Sequence, residues 1–120
     1  AYHAATGVFP IMHALAMRRE VYERNRWLAR NLMDAFEEAK NRSLQRALDV
    51  TASHFVLPWV ADLARDAQAM LGTDFWPYGV QANRVTLEAF CNFAFEQGVA
   101  HRPMQPDELF VPEVLTQARV

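Results

Sequence analysis

The sequence predicts a mainly α-helical chain, with one short strand near its start and about five helices after it. Three observations carry that expectation. Leu28, Leu32, Ala35, Phe36, Ala39, Ser43 and Ala47 recur at three- and four-residue spacing, the signature of one helix face. The apolar stretch 58–71 opens on Pro58 and stops at Gly72, and the stretch 82–97 stops at Gly98. Proline suits a first helical position and glycine a helix end.

The elements follow in chain order. Residues 8–17, VFPIMHALAM, form an apolar run. Pro10 biases Phe9 toward an extended backbone, so a buried strand is expected over 11–17, a run too short to exclude a helix. REVYERN, 19–25, reads as a short helix. A long helix is expected over 26–47, with Asn25 as its N-cap. Proline inside a helix costs about 3 kcal/mol, so the next pattern divides at Pro58 into helices over 51–57 and 58–71. The second has Trp59, Val60, Leu63, Ala67, Met70 and Leu71 as its apolar face. GTDFWPYGVQAN, 72–83, is a loop rich in aromatics. A helix over 82–97 turns Val85, Leu87, Phe90, Cys91, Ala94 and Phe95 inward. Short proline-led helices are expected at 106–110 and 112–118.

Composition narrows the function classes. The 120 residues fit one domain or part of one. A formal charge of −2, with the basic residues scattered, offers no field for nucleic acid. No apolar run approaches the roughly 18 residues of a membrane span, so no membrane insertion is expected. The single cysteine excludes an internal disulfide and a cysteine-based zinc site. The chain opens on AYHAATGVF, without an initiator Met or a signal-like segment. It therefore reads as the C-terminal part of a longer protein.

Chemistry-bearing motifs are sparse. GxGxxG, P-loop, HExxH, GxSxG and CxxC are all absent. His3, His13, His54 and His101 lack ligand spacing, so neither a metal nor another cofactor is expected. His13 has two readings: a partly buried histidine bonded to backbone, or a ligand-binding or catalytic imidazole at a strand end. DFWPYG, 74–79, either anchors a loop or flanks an aromatic ligand with Tyr78. Asn83 and Arg84 either hold a carboxylate or serve as a helix cap and a solvated charge. Cys91 lies on an apolar helix face and reads as inert core. The acidic pairs Glu37–Glu38 and Asp107–Glu108 read as solvated.

Several stretches taken together carry a resemblance. TGVFPIMH (6–13), LPW (57–59), DFWPYGVQANR (74–84), LEAF (87–90), EQG (96–98) and PDELF (106–110) resemble the C-terminal part of the 4,5-dihydroxyphthalate decarboxylase family. That family is similar in fold to type II periplasmic solute-binding proteins. The resemblance runs from about residue 6 to 115. Arg26 departs from it, standing where a proline is expected after Asn. The resemblance implies a two-lobed α/β parent with its ligand between the lobes, and helices of this chain packing on the N-terminal remainder. It implies removal of one carboxylate from an aromatic catechol diacid to give protocatechuate, in the cytoplasm. His13 would be the acid or anchor, Thr6 a hydrogen-bond donor beside it, and Tyr78 and Arg84 further substrate contacts. The rival implication is a periplasmic solute-binding protein for an aromatic or carboxylated ligand, without catalysis. Under either, the isolated chain is expected to lack activity and to self-associate through uncovered apolar faces.

Overall fold

The computed structural model describes residues 2–52 and 54–115. Among them six α-helices follow one another: α1 (Tyr2–Thr6), α2 (Arg19–Arg24), α3 (Trp27–Leu48), α4 (Val60–Leu71), α5 (Arg84–Glu96) and α6 (Pro106–Leu109). A 3-10 turn over Pro112–Val114 comes after them. The mainly α expectation holds. The described residues form two compact units, one of residues 2–31 and 78–115, the other of residues 32–77.

The strand expected over 11–17 does not form: these residues carry neither strand nor helix. A strand exists only against a partner, and the described residues contain no other strand. Ile11, Met12 and Leu15 are exposed instead of buried. The short helix α1 ahead of this segment was not expected. Thr6 and Gly7 end it: Gly7 takes φ 71° and its N–H donates to His3 O at 2.7 Å.

In the first unit the helix ends follow local chemistry. Asn25, expected to open the long helix, closes α2 instead: it is the C-cap residue, and its Nδ2 donates to Val21 O at 3.2 Å. α5 ends in a Schellman motif. Val99 N–H donates to Ala94 O, Gly98 N–H to Phe95 O, and Gly98 takes φ 72°. α6 starts with a capping box in which Gln105 and Glu108 satisfy each other's backbone N–H groups. Val80, Leu87, Cys91 and Pro106 form the buried core of this unit. Tyr22 Oη donates to Glu113 Oε2 at 2.8 Å, and the Arg26 guanidinium lies 5.5 Å from the Tyr22 ring centre.

In the second unit α3 departs from the expected stripe. Ala35, Phe36, Ala39 and Ser43 are exposed. The covered face carries Met33, Glu37, Lys40, Leu44 and Leu48, centred roughly a third of a turn around the helix, although Leu32 and Ala47 of the expected stripe are half-buried too. Lys40, the chain's one lysine, is 6% exposed. Its ammonium bonds Glu37 Oε1 at 2.6 Å and Asp74 Oδ2 at 2.8 Å. A buried ammonium is tolerated only when so paired, and this pairing sets which way the helix faces.

No helix forms over 51–57, where the described residues run as bends. The Asp49 carboxylate takes both the N–H and the hydroxyl of Thr51, a local bonding pattern that competes with helix. α4 starts at Val60 and not at Pro58, because Trp59 sits in the left-handed region at φ 58° and ψ 21°. A non-glycine residue held there costs about 1–3 kcal/mol. Gly72 closes α4 as expected, at φ 97°. α4 buries Ala64, while Trp59, Leu63 and Met70 of its expected apolar face are exposed. On α5, similarly, Leu87 and Cys91 are buried but Val85, Phe90 and Phe95 are exposed. The last expected helix, 112–118, is a 3-10 turn over Pro112–Val114, and residues 116–118 lie outside the described residues.

Candidate functional site

The first unit gathers most of the residues singled out in the sequence around the start of α5. The segment after α1 is tied there by two neighbours. Phe9 N–H donates to Thr86 Oγ1 at 3.1 Å, and a Cβ placed on Gly7 would meet Val85 Cγ1 at 3.6 Å. Thr6 is thereby brought near the helix that carries Arg84. Its hydroxyl is engaged locally, donating to Tyr2 O at 2.9 Å and accepting from Val8 N–H at 3.1 Å. His3 holds the same turn, with Nδ1 3.3 Å from Val8 O and its ring edge-on to Phe9.

Arg84 forms a bidentate pair with Asp107, both N···O distances 2.9 Å. Glu88 lies 3.8 Å from the same guanidinium. The Asp107 hydrogen bond raises the Arg84 pKa, and Arg84 holds the Asp107 carboxyl below its ordinary value. The fork geometry suits any carboxylate, and in this structure Asp107 fills it. Asn83 does not cap α5 with its side chain; its Nδ2 donates to Gly79 O at 2.9 Å and closes the turn after Tyr78. Tyr78 is half-buried.

His13 stands apart from this cluster. It is exposed, four residues beyond the Phe9 tie, and makes no hydrogen bond or ion pair to a described residue. The bland reading, a partly buried histidine bonded to backbone, is therefore not what forms. Cys91 is 4% exposed, and burial pushes its thiol pKa up, with Glu108 and Glu88 adding to the shift. It is inert core, as read from the sequence.

The sequence reading missed two constellations in the second unit. The first is Lys40 with Glu37 and Asp74. Burial of the ammonium opposes its charge, but the hydrogen bonds it donates to Asp74 and Glu37 outweigh that and raise its pKa. Asp74 also accepts Trp76 N–H at 3.2 Å, so Lys40 anchors the start of DFWPYG to α3. Glu37 is accordingly not the solvated residue it was taken for. A lone lysine in an arginine-rich chain was the available signal. The second is Asp49, Thr51 and His54. Asp49 Oδ2 meets His54 Nε2 at 2.9 Å, and Oδ1 takes the Thr51 hydroxyl at 2.6 Å. The Thr51 hydroxyl, then His54, then the Thr51 N–H lower the Asp49 pKa to about 2. The Asp-x-Thr spacing signals such a turn.

Among the described residues no group of three His, Cys, Asp or Glu side chains is placed to hold a metal ion. No helix among them is long and apolar enough to cross a membrane. Fold and site thus define a class: a mainly helical chain with wide apolar faces in solvent and a polar, carboxylate-competent cluster at a helix start. No family model matches it. Over 113 residues, 94% of its length, the chain is 36% identical to 4,5-dihydroxyphthalate decarboxylase from Comamonas testosteroni. The resemblance read from the short motifs is thereby shown along nearly the whole chain. The chain spans about a third of the length of that relative, 34% of it.

Proposed function

We propose that this chain is the C-terminal part of a decarboxylase that removes one carboxylate from an aromatic catechol diacid of the 4,5-dihydroxyphthalate type, giving protocatechuate in the cytoplasm. The observation that carries the reading is the 36% identity, over 94% of this chain, to a protein of that name. The physical demands of the reaction agree with it. A hydroxyl para to the departing carboxylate pushes electron density into the ring carbon that bears it. A proton delivered to that carbon lets the C–C bond break heterolytically. Its electron pair restores the aromatic ring as carbon dioxide leaves, so one proton is consumed per turnover. The chain must supply a proton donor active near neutral pH and an anchor for the retained carboxylate.

His13 is the proton donor or the anchor in this reading, because it is an exposed imidazole without a partner among the described residues. Arg84 takes a carboxylate by displacing Asp107. Thr6 donates a hydrogen bond by releasing Tyr2 O. Tyr78 contacts the ring. Phe90, Phe93, Leu63 and Met70, all exposed, pack against the remainder of the longer protein, and without it this chain gives no turnover.

The test uses the full-length protein with 4,5-dihydroxyphthalate. Carbon dioxide release with formation of protocatechuate is expected. His13→Ala should lower kcat by on the order of 100-fold, and Arg84→Gln should raise KM. Tight binding without any carbon dioxide would overturn the reaction, and unchanged turnover in His13→Ala would overturn the assignment of His13.

A further inference from the structure

A hollow of about 310 Å³ opens between the end of α3 and the start of α4, in the second unit. We infer that it binds a small monocarboxylate carried on a flat apolar body. Its volume falls at the lower end of ligand pockets, about 300–1,000 Å³. The inference is independent of the proposed function, since it requires neither turnover nor any residue of the first unit.

The wall carries one cation open to a ligand. Arg46 lines the hollow, is exposed and forms no ion pair with a described residue. Asp62 on the same wall is taken by Arg65 at 3.1 Å. The charge of Asp49 is spread over three hydrogen bonds, from the Thr51 N–H and hydroxyl and from His54. These bonds hold the His54 ring by Nε2, while Nδ1 meets no described residue. Arg46 and His54 Nδ1 therefore stand ready to take a carboxylate and a neighbouring polar group.

The rest of the lining suits a planar hydrocarbon. Phe55, Leu57 and Trp59 line the hollow and are 40%, 60% and 75% exposed. An indole held in water at the rim offers a face for stacking. The carboxylates of Asp49 and Asp62 set a limit on charge. One negative group is matched by Arg46, and a second meets repulsion. The site accordingly selects a monoanion over a dianion, the opposite charge preference to that of a diacid substrate.

The experiment titrates the full chain with benzoate, benzamide and phthalate while NMR follows the Trp59 indole and the His54 ring. Benzoate should shift both signals saturably, with Kd at about 1 mM. Benzamide, which lacks the charge, and phthalate, which doubles it, should each bind at least about tenfold more weakly. Arg46→Gln should weaken benzoate by about tenfold, and Arg46→Lys should retain part of the affinity. Absence of a saturable shift at Trp59 and His54 overturns the proposal, as does equal binding of benzoate and benzamide. Shifts confined to residues around His13 and Arg84 overturn it too, while favouring the proposed catalytic cluster. Should Arg46→Gln lose its helical circular dichroism, the three-probe comparison on the unaltered chain decides alone.

Discussion

The two units solve the problem of a small core in different ways. In the first, residues far apart in sequence are cross-linked: Phe9 to Thr86, Tyr22 to Glu113, and Arg84 to Asp107. Its buried side chains include Val80, Leu87, Cys91 and Pro106. In the second, the buried positions among the described residues are Ala64 and Lys40, a methyl group and an ammonium. A long-range tie in it is the Lys40–Asp74 pair. The first unit therefore gains from apolar burial, roughly 25 cal/mol per Å². The second leans on helix propensity and on the buried Lys40 with its two carboxylates, and its large apolar side chains, Phe55, Val56, Leu57, Trp59, Leu63 and Met70, stay in solvent. A pairing of charges can orient a helix without supplying much stability.

That contrast can be broken from either side. The largest effect is expected from Leu87→Ala, which empties a core position that is 8% exposed. It should cost about 2–4 kcal/mol, read by denaturant melting, with hydrogen exchange rising first in α5 and α6. Lys40→Ala should cost less, about 1–3 kcal/mol. It strands Glu37 and Asp74, but Asp74 is nearly half exposed and water screens it. Its signature is local: exchange should rise at Asp74–Trp76 while α5 is unchanged. Equal loss of protection in α5 would refute the separation of the units.

Two left-handed positions sharpen the comparison further. Gly98 occupies one in the first unit, with open space where a Cβ would stand. Gly98→Ala should cost about 1 kcal/mol from backbone strain alone. Trp59 occupies the other in the second unit. Because its side chain is largely exposed, Trp59→Gly should hold stability level or raise it by up to about 1 kcal/mol. Opposite signs from the two substitutions, measured by thermal melting, are the expected result.

The smallest effect concerns acid. The folded Asp49 pKa, about 2, lies below its ordinary 3.8. The unfolded chain binds that proton more readily, so the contribution is complete above the ordinary value and lost as pH falls through about 2. An NMR titration of Thr51 and His54 should show the turn intact at pH 4 and released near pH 2. Release already at pH 4 would mean that the three hydrogen bonds are not held in solution.

Much of the fold was legible where local chemistry decides. The stops at Gly72 and Gly98 and the Pro106 start follow from single residues. Strand 11–17 and helix 51–57 were misread, because an apolar run says nothing about whether a partner strand exists, and an Asp-x-Thr turn overrides helix periodicity. Of the candidate residues, Thr6 lies near the start of α5, which carries Arg84, whereas the sequence reading had set Thr6 beside His13. Asp107 was unforeseeable as the partner of Arg84, since a separation of 23 positions along the chain hides the contact. Arg46 drew no notice because it belongs to no motif, and His54 was set aside with the other histidines for lack of ligand spacing.

By itself the sequence determined the helical class, the helix stops at Gly72 and Gly98, the buried thiol and the similarity to 4,5-dihydroxyphthalate decarboxylase. These rest on spacing, on backbone preferences of glycine and proline, and on residue identity, all of which are local or additive along the chain. Only the tertiary structure decided which face of α3 is covered and that His13 stands exposed. It also decided that Arg84 meets Asp107 and that Asp49, His54 and Arg46 share one hollow. Those outcomes depend on where distant charges and backbone groups find partners, and burial energy is assigned by three-dimensional proximity and not by sequence separation.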